Sequence, residues 1–447
     1  MSAARHLTLA DLHAASRLVV GAVVGATHLV EAVHHSVTQG APPLGTAPPG
    51  STRRITGLVY RSIRGITRLT GSALDAALSR LVPLVDGPAT PVATRERQAV
   101  LAALNGVLGD TLADSGSALA LPMQLLHRGQ PVTPTPAALA AALPRARRRV
   151  LLLVHGLCMN ERAWMRGAAQ VDAGPAAAQP RGTEPAWTRG LGVTVLSLRY
   201  NSGRHVSENG RELAALLQAL VQSWPVPLDD LLLVTHSLGG LVARSALHLG
   251  AQSGSQSGAQ SNAKPGSQPD AQRGADWVTR VRTLVCLGTP HRGAPLERGG
   301  HGIDRLLAVS PYAAPFARLG QLRSAGITDL RHGQVLDEDW HGLDRFAPGR
   351  GAPRTLPLPT GITCHAIAAS LSPARGRLPA WVDALLGDGL VPVASALGHS
   401  DDPAQRLAFA PQNIAVVRGL GHLGLLSDAR VHAQLRRWLA PARRRAA

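Results

Sequence analysis

The stretch LLLVTHSLGGLVARSAL, residues 231–247, places one serine at the junction of two different patterns. The unbroken apolar run before the serine is typical of a buried strand. After Ser237 a helix is predicted to leave from the turn. At such a junction a strand ends, one residue turns and a helix begins. This geometry lifts the serine hydroxyl above the end of the sheet. Ser237 is therefore a candidate nucleophile.

The residues around Ser237 depart from the usual form of this turn at one position. Small residues are needed two positions before and two positions after the serine, because the strand and the helix cross closely there. Gly239 satisfies the second requirement, whereas Thr235 stands where glycine is usual. We expect Thr235 to pack its side chain where strand and helix cross, and Ser237 to adopt a strained backbone with positive φ. The alternative interpretation is an ordinary serine that caps a helix.

Six apolar segments, separated by stretches of helix length, predict the sheet. Nearly continuous apolar strands are typical of a parallel sheet that helices cover on both faces. Ligands bind at the carboxyl ends of the strands in such sheets, so the residues that follow each strand are the candidates for function. The predicted strands are residues 150–156, 193–200, 231–237, 281–290, 362–370 and 413–419.

Two polar residues follow the fifth and the sixth predicted strands. A serine nucleophile needs a base to take its proton, and the base needs an acid to orient it. Asp388 lies in a glycine-flanked turn after the fifth strand, and His422 follows the sixth. Taken singly, Asp388 has an ordinary alternative as a surface turn, and His422 as a structural imidazole. The order serine, acid, base and the positions at strand ends favour the catalytic interpretation.

Two backbone N–H groups are candidates for holding the negative charge that develops on an attacked carbonyl oxygen. The Leu238 N–H follows the serine at the start of the predicted helix, where the helix dipole favours negative charge. The Leu157 N–H lies in the loop HGLCMN after the first predicted strand. We expect His155 in this loop to orient it rather than to transfer protons.

Six motifs in order resemble the lipase and esterase branch of the α/β-hydrolase superfamily, and within it the bacterial PGAP1-like (GPI inositol-deacylase-like) proteins. The motifs are HGLCMN, RYNSGRHVSENG, THSLGGLVARSA, LGTPHRGAPLE, GDGLVPVASA and GHLGLLSD. The resemblance implies an α/β-hydrolase fold, with a mostly parallel, doubly wound sheet. It implies a Ser237–Asp388–His422 triad and an oxyanion hole at Leu157 and Leu238. The implied function is that of a serine esterase or lipase, which cleaves carboxylic esters of lipids or other apolar acyl groups without a cofactor.

Shifts in composition predict the domain organisation. Residues 1–140, which the resemblance does not cover, are expected to form an N-terminal amphipathic, basic helical region with a proline-rich linker. Residues 145–445 are expected to form the catalytic domain. Within it, residues 251–275 and 171–185 are predicted to be surface insertions, the first rich in Gly, Ser and Gln and flexible. Residues 296–345 include an apolar helical cluster, which is either a cap over an acyl pocket or a set of further helices on the sheet.

The N-terminal region raises the question of a membrane partner. Residues 1–40 are predicted to be helical, beginning with a capping box at Thr8 and Asp11. Residues 52–85 form a predicted amphipathic helix whose arginines lie mostly between its apolar residues. Such a helix packs its apolar face within the protein or lies on an anionic membrane surface, and residues 1–86 are the candidate contact.

Composition and motifs limit which other partners and cofactors are expected. The net charge of +18 raises the possibility of a nucleic-acid partner. Binding of single-stranded nucleic acid needs aromatic side chains on which bases stack, and Tyr60 is the one aromatic residue of the basic segment 52–85, so no nucleic-acid partner is expected. Three widely spaced cysteines predict neither a disulfide framework nor a zinc site, and the acidic run 337–339 is expected to be a solvated turn. No nucleotide-binding motif occurs, so no cofactor and no metal are expected.

The sequence leaves alternatives open for the location of the protein in the cell and for its activity. We expect a cytoplasmic protein, with peripheral membrane association as the alternative. The alternative functions are a membrane-associated acyltransferase or thioesterase, and a non-catalytic membrane-binding protein on the same fold.

Overall fold

The computed structural model describes residues 9–38, 95–165, 184–259, 277–294, 323–344, 355–373 and 387–441, together with residues 64, 68, 72 and 75. The chain divides into two compact units. The first comprises Met1–Ala120 and Glu297–Ser324, and the second comprises Leu121–Leu296 and Ala325–Ala447. All candidate site residues belong to the second unit.

The first unit contains two long helices, α1 (Leu9–Thr38) and α2 (Arg95–Asp114). Helix α1 confirms the helix predicted for residues 1–40. It forms because leucine, valine and alanine recur along 30 residues that contain no proline. The capping interaction predicted at Thr8 and Asp11 lies outside the described residues and side chains.

Polar contacts join α1 to the described residues of the predicted 52–85 helix. Arg64 pairs with Glu31, and both residues are buried. The Asp75 carboxylate lies 2.6 Å from His13 Nε2 and 3.3 Å from Arg17 Nε. At these positions the segment packs against α1, which is the first of the two predicted alternatives. Within the described residues, no helix combines the length and the apolar character that crossing a lipid bilayer requires.

The second unit is built on an eight-stranded sheet. Its strands are β1 (Gln124–His127), β2 (Gln130–Val132), β3 (Arg149–Val154), β4 (Thr194–Arg199), β5 (Asp230–His236), β6 (Val281–Leu287), β7 (Thr363–Ser370) and β8 (Ile414–Arg418). The strand order is β2-β1-β4-β3-β5-β6-β7-β8, and β3 to β8 are parallel. These six parallel strands are the six predicted ones, so the predicted mostly parallel sheet is confirmed.

The hairpin of β1 and β2 has no counterpart among the predicted strands. Its strands have four and three residues, which is too short for an alternating pattern to be recognised. The turn between them contains Arg128 and Gly129, both with positive φ. Strand β1 pairs antiparallel with β4, so the sheet includes residues upstream of position 145. The division into domains stays a prediction.

The register brings the carboxyl ends of the central strands side by side. His236, the last residue of β5, is paired with Leu287, the last residue of β6. Ser370 at the end of β7 is paired with Arg418 at the end of β8. Strand β3 lies on the other side of β5 and runs in the same direction. The loops that carry the candidate site residues therefore leave the sheet at the same end.

Helices cover both faces of the sheet, as predicted for a doubly wound architecture. They are α3 (Pro136–Ala142), α4 (Val206–Ser223), α5 (Leu238–Ala259), α6 (Trp277–Arg280), α7 (Ala325–His332), α8 (Val393–Ala396) and α9 (Ala429–Leu439). Successive residues of β5 alternate between two cores. Leu233 belongs to the core that contains Leu217 of α4, and Val234 to the core that contains Leu435 of α9.

Helix α5 extends into the stretch predicted to be a flexible insertion. It runs to Ala259, so residues 251–259 are helical rather than a loop. The physical reason is that continuing a formed helix adds a hydrogen bond per residue without a new nucleation step. Residues 260–275 of this insertion lie outside the described residues. The same holds for residues 171–183 of the other insertion and residues 303–322 of the predicted cap.

The acidic run forms a short 3₁₀ turn, Asp337–Asp339. Asp337 pairs with Arg211, and the Asp339 carboxylate accepts hydrogen bonds from the N–H groups of Val335 and Leu336, both at 2.9 Å. These carboxylates are therefore engaged within the turn and its surroundings. In the part of the chain that the structure describes, no cluster of three His, Cys, Asp or Glu side chains is arranged to hold a metal ion.

Candidate active site

Ser237 lies in a strained turn between β5 and α5. Its φ is 53°, which confirms the positive φ predicted for this residue. Its N–H donates to the Leu287 carbonyl of β6 at 2.8 Å, so the turn is fixed to the neighbouring strand. A Cβ on Gly239 would lie 2.6 Å from the His155 carbonyl oxygen, and a Cβ on Gly240 would overlap Thr289. The start of α5 therefore passes the neighbouring backbone at a distance that only glycine permits.

Thr235 forms a hydrogen bond within the sheet. Its side chain is fully buried, and its hydroxyl donates to the Val285 carbonyl of β6 at 3.0 Å. It lies on the same face of β5 as Leu233, which packs in the core that contains Leu238 and Leu241 of α5, and its predicted place at the crossing of strand and helix stays a prediction. Threonine is accepted here because the neighbouring strand supplies an acceptor for its hydroxyl.

Asp388 and His422 are joined directly. The Asp388 Oδ2 atom lies 2.7 Å from His422 Nδ1, and the His422 N–H donates to the Asp388 carbonyl at 3.0 Å. The second carboxylate oxygen, Oδ1, accepts the N–H groups of Leu390 at 3.0 Å and Val391 at 2.7 Å. The Asp388 side chain is completely buried, and its hydrogen bonds hold the carboxylate in one orientation.

Ser237 and His422 approach the end of β6 from two sides. Ser237 is bonded to Leu287, and a Cβ on the next residue, Gly288, would lie 3.1 Å from both Cε1 and Nδ1 of the His422 ring. His236 Nε2 lies 3.2 Å from the His422 carbonyl oxygen, and this contact joins the end of β5 to the loop that contains His422. Among the described residues no hydrogen bond joins the Ser237 hydroxyl to the His422 ring. Such bonds are often long in a ligand-free site and shorten when substrate binds.

The pairing with Asp388 decides which nitrogen of His422 is available to the serine. With a proton on Nδ1 shared with the carboxylate, Nε2 carries the lone pair and can accept a proton. The tautomer follows from the hydrogen bond, because an ionised carboxylate is an acceptor only. The arrangement is therefore suited to general-base chemistry at Nε2.

Two backbone N–H groups beside Ser237 have no hydrogen-bond partner among the described residues, those of Leu157 and Leu238. Leu238 is the first residue of α5, where the helix dipole adds to the attraction for negative charge. The Leu157 loop lies against the serine, since a Cβ on the preceding Gly156 would be 3.0 Å from Ser237 Cβ. These are the two donors that the sequence predicted for an oxyanion hole.

His155 braces the Leu157 loop. Its ring is buried and stacks on Tyr200 with 4.4 Å between centroids, and its Nδ1 lies 2.9 Å from the Gly156 carbonyl oxygen. Burial lowers the pKa of His155 to about 4, because the charged imidazolium is desolvated. A neutral, immobile ring of this kind fits the predicted orienting role.

Arg244 of α5 is a buried cation that the sequence analysis did not single out. Its guanidinium contacts His291 Nδ1 at 3.2 Å and donates to the Leu356 carbonyl, so it ties the loops after β6 and before β7 to α5. Burial lowers the pKa of Arg244 to about 10. The feature of the sequence that indicates a buried arginine is its place inside the apolar helical run LVARSAL, at a position that faces the core.

Comparison with known proteins adds a family model and several remote structural neighbours. Residues 146–364 match the model described as a PGAP1-like alpha/beta domain, which includes Ser237 but ends before Asp388 and His422. No curated protein matches the sequence.

The structural neighbours include lipases and a phospholipase. The mature lipase BlEst2 from Bacillus licheniformis is 17% identical, with 66% of this chain and 94% of that chain covered and a TM-score of 0.38. Lipase 1 from Pelosinus fermentans is 14% identical, with 66% and 99% covered and a TM-score of 0.35. Phospholipase PlaB from Legionella pneumophila is 15% identical, with 66% and 61% covered and a TM-score of 0.35.

The strand order, the turn at Ser237 and the family match agree with one another. The chain has the α/β-hydrolase fold, and its residues 146–364 are similar to a PGAP1-like alpha/beta domain.

Proposed function

We propose that this protein is a serine hydrolase that cleaves carboxylic esters. The observation that carries the proposal is the buried Asp388–His422 hydrogen bond of 2.7 Å, at the same end of the sheet as the positive-φ turn of Ser237. A serine that merely capped α5 would need neither the strained backbone nor an oriented imidazole beside it.

In the proposed reaction Ser237 attacks the ester carbonyl while His422 Nε2 takes the hydroxyl proton. The Leu157 and Leu238 N–H groups stabilise the oxyanion of the tetrahedral intermediate. His422 then gives its proton to the departing alcohol, and an acyl group remains on Ser237. Water that His422 deprotonates releases the acid and restores the serine. Asp388 holds the imidazole tautomer and stabilises the imidazolium without becoming protonated.

The surroundings of the pair favour an apolar acyl group as substrate. A cavity of about 600 Å³ adjoins Asp388 and His422, and its lining includes Leu390, Leu420 and Leu423. Leu390 and Leu423 are about half exposed, as is Leu371 nearby. Exposed leucines beside a polar pair provide apolar surface that an acyl chain can cover, at roughly 25 cal/mol per Å² buried.

Burst kinetics with p-nitrophenyl esters of increasing acyl length test this proposal. We expect a burst of nitrophenol equal to the enzyme concentration and labelling of Ser237 by a fluorophosphonate. Ser237→Ala should abolish both. Ser245→Ala serves as the matched control, because Ser245 is a buried serine of α5, the helix that follows Ser237, and its hydroxyl has no partner within the described residues. Wild-type turnover by Ser237→Ala would overturn the proposal.

The same assay separates ester hydrolysis from the alternative reactions. A thioester series and an added alcohol acceptor report thioesterase and acyltransferase activity, which use the same acyl-enzyme. Peripheral membrane contact through residues 1–86 stays a prediction. Its test is sedimentation with anionic vesicles, in which a real electrostatic contact weakens as the salt concentration rises.

A further inference from the structure

The segment Arg199–Ser202 contacts the Leu157 loop at two points and the start of the 3₁₀ turn that follows it, Glu161–Met165, at a third. The Tyr200 hydroxyl donates to the His155 carbonyl at 2.9 Å. The Cys158 N–H donates to the Ser202 hydroxyl oxygen at 3.1 Å. Arg199 Nε donates to the Glu161 carboxylate at 2.9 Å. Three of the four residues of the motif RYNS, which the proposed chemistry does not use, therefore hold this loop and the turn that follows it.

The positions of these contacts single out the Leu157 N–H. Tyr200 anchors the peptide group that follows His155, and Ser202 anchors the peptide group that precedes Cys158. The peptide that bears the Leu157 N–H is the one between these two anchored groups. Because each peptide is planar, fixing both neighbours leaves the direction of this N–H little freedom.

The anchor at Cys158 holds a strained backbone. Cys158 has φ of 58°, in the left-handed region that side chains other than glycine avoid at about 1–2 kcal/mol per residue. Without the Ser202 hydroxyl, Cys158 loses the hydrogen bond that holds this φ. The peptide that bears the Leu157 N–H then keeps the contact of the Gly156 carbonyl with His155 Nδ1 but loses its anchor on the Cys158 side. The hydrogen bond therefore has a directional role in addition to satisfying a polar group.

Ser202 itself is firmly held. It is buried, and the Gly326 N–H of α7 donates to the carbonyl of the next residue, Gly203, at 2.9 Å. A Cβ on Gly326 would overlap the Ser202 carbonyl, so α7 packs directly on this loop. Beyond it, the Asp329 carboxylate lies 3.0 Å from His205 Nδ1. The acceptor offered to Cys158 is thus fixed by α7 rather than by the loop it orients.

We propose that Ser202 is a positioning residue for the oxyanion hole, which acts through the Cys158 N–H to aim the Leu157 N–H at the developing oxyanion. This inference rests on the proposed esterase function. It predicts that Ser202→Ala weakens binding of the transition state more than binding of the ester. Loss of one oxyanion donor lowers kcat by about 10²–10³-fold, and its misalignment should lower kcat by roughly 10- to 100-fold with KM changed less than about threefold.

The experiment compares wild type, Ser202→Ala, Ser202→Cys and the control Ser207→Ala, with kcat expressed per active site counted from the burst. Ser202→Cys keeps nearly the same volume but offers a weak acceptor, so it tests the hydrogen bond if Ser202→Ala folds poorly. Ser207→Ala removes another buried hydroxyl that accepts an N–H, that of Trp340, at a position away from the Leu157 loop. A trifluoromethyl ketone, which forms an oxyanion on the serine, is the probe of the hole.

The expected result is that the inhibition constant of the ketone rises in both Ser202 variants by the factor by which kcat/KM falls, while Ser207→Ala behaves as wild type. Unchanged kcat and ketone affinity in Ser202→Cys would overturn the inference. A fall in kcat without a matching loss of ketone affinity would also overturn it, because a merely structural role gives that result. If wild type shows no burst, the esterase proposal fails first, and the two failures are therefore distinguishable.

Discussion

Gly239 passes so close to His155 that a Cβ at this position would lie 2.6 Å from the His155 carbonyl oxygen and 2.8 Å from that of Val154. Both atoms belong to the backbone at the end of β3, so neither can move aside as a flexible side chain could. The helix that follows the serine and the loop that contains the Leu157 N–H can therefore lie this close because residue 239 has no side chain.

Gly239→Ala should disturb folding and catalysis together. Overpacking of this kind costs about 1–3 kcal/mol, and the displaced backbone is that of the oxyanion loop, so we expect at least a tenfold fall in kcat as well. Urea unfolding and burst-corrected kinetics measure the two effects. Gly25→Ala is the matched control, because a Cβ at Gly25 of α1 meets nothing within 4 Å and should stabilise the helix by about 0.5–1 kcal/mol. Normal activity and stability of Gly239→Ala would contradict the geometry.

Asp388→Asn should leave the fold intact and remove most of the activity. Its amide oxygen can still accept the N–H groups of Leu390 and Val391, which turns the amide NH₂ toward His422 Nδ1. His422 must then accept at Nδ1 and carry its proton on Nε2, where it can no longer take the proton of Ser237. We expect kcat to fall by about 10⁴-fold, with an unchanged unfolding midpoint. A loss smaller than tenfold would argue against Asp388 as the orienting acid.

Thr235→Val should affect stability and leave catalysis unchanged. The variant loses the hydrogen bond to the Val285 carbonyl, which is worth about 1 kcal/mol, but the Thr235 hydroxyl has no contact with the acid or the base. We expect kcat within twofold of wild type and a free energy of unfolding lower by about 1 kcal/mol. Thr235→Ser, which keeps the hydroxyl, is the control. A fall of more than tenfold in kcat would show that the first position of the turn acts on the serine.

His155 should make the protein less stable in mild acid. Burial lowers the pKa of His155 to about 4, below its usual value of about 6.5, so the unfolded chain binds a proton that the folded protein does not. The stability from this residue is therefore complete above pH 6.5 and is lost as the pH falls toward 4. Between pH 7 and pH 5 the loss amounts to about 2 kcal/mol.

The variant His155→Phe tests this origin. Phenylalanine does not titrate, so the difference in the free energy of unfolding between pH 7 and pH 5 should shrink by about 2 kcal/mol, whatever the absolute stability of the variant. Urea unfolding at the two pH values measures it. An equal difference in wild type and variant would assign the acid sensitivity to other groups.

The strands and the order of the candidate site residues could be predicted because they depend on local pattern. Apolar runs identify β3 to β8, and the turn at Ser237 has a recognisable sequence even with Thr235 in place of glycine. The short β1–β2 hairpin could not be found in this way, because three or four residues carry too little periodicity. The continuation of α5 to Ala259 could not be predicted either, because a composition typical of loops does not prevent a helix from extending.

Other features exist only because distant segments meet. The apolar run around Arg244 indicates that it is buried, but only the fold shows that it lies beside His291 and the Leu356 carbonyl. Ser202 reads as one polar residue of a loop until β4 brings it to the Cys158 N–H. Thr235 needed a partner for its hydroxyl, and the pairing of β5 with β6 supplied it.

The sequence by itself determined the strand-turn-helix junction at Ser237 and the chain order of Ser237, Asp388 and His422. The physical reason is that backbone preference and hydrophobic periodicity depend on residues that are neighbours in the chain. Only the tertiary structure decided which Asp388 oxygen meets His422 and which buried atoms hold the Leu157 loop. Hydrogen bonds between segments tens or hundreds of residues apart depend on angstrom-level register, and that register arises from the packing of the whole sheet and its helices.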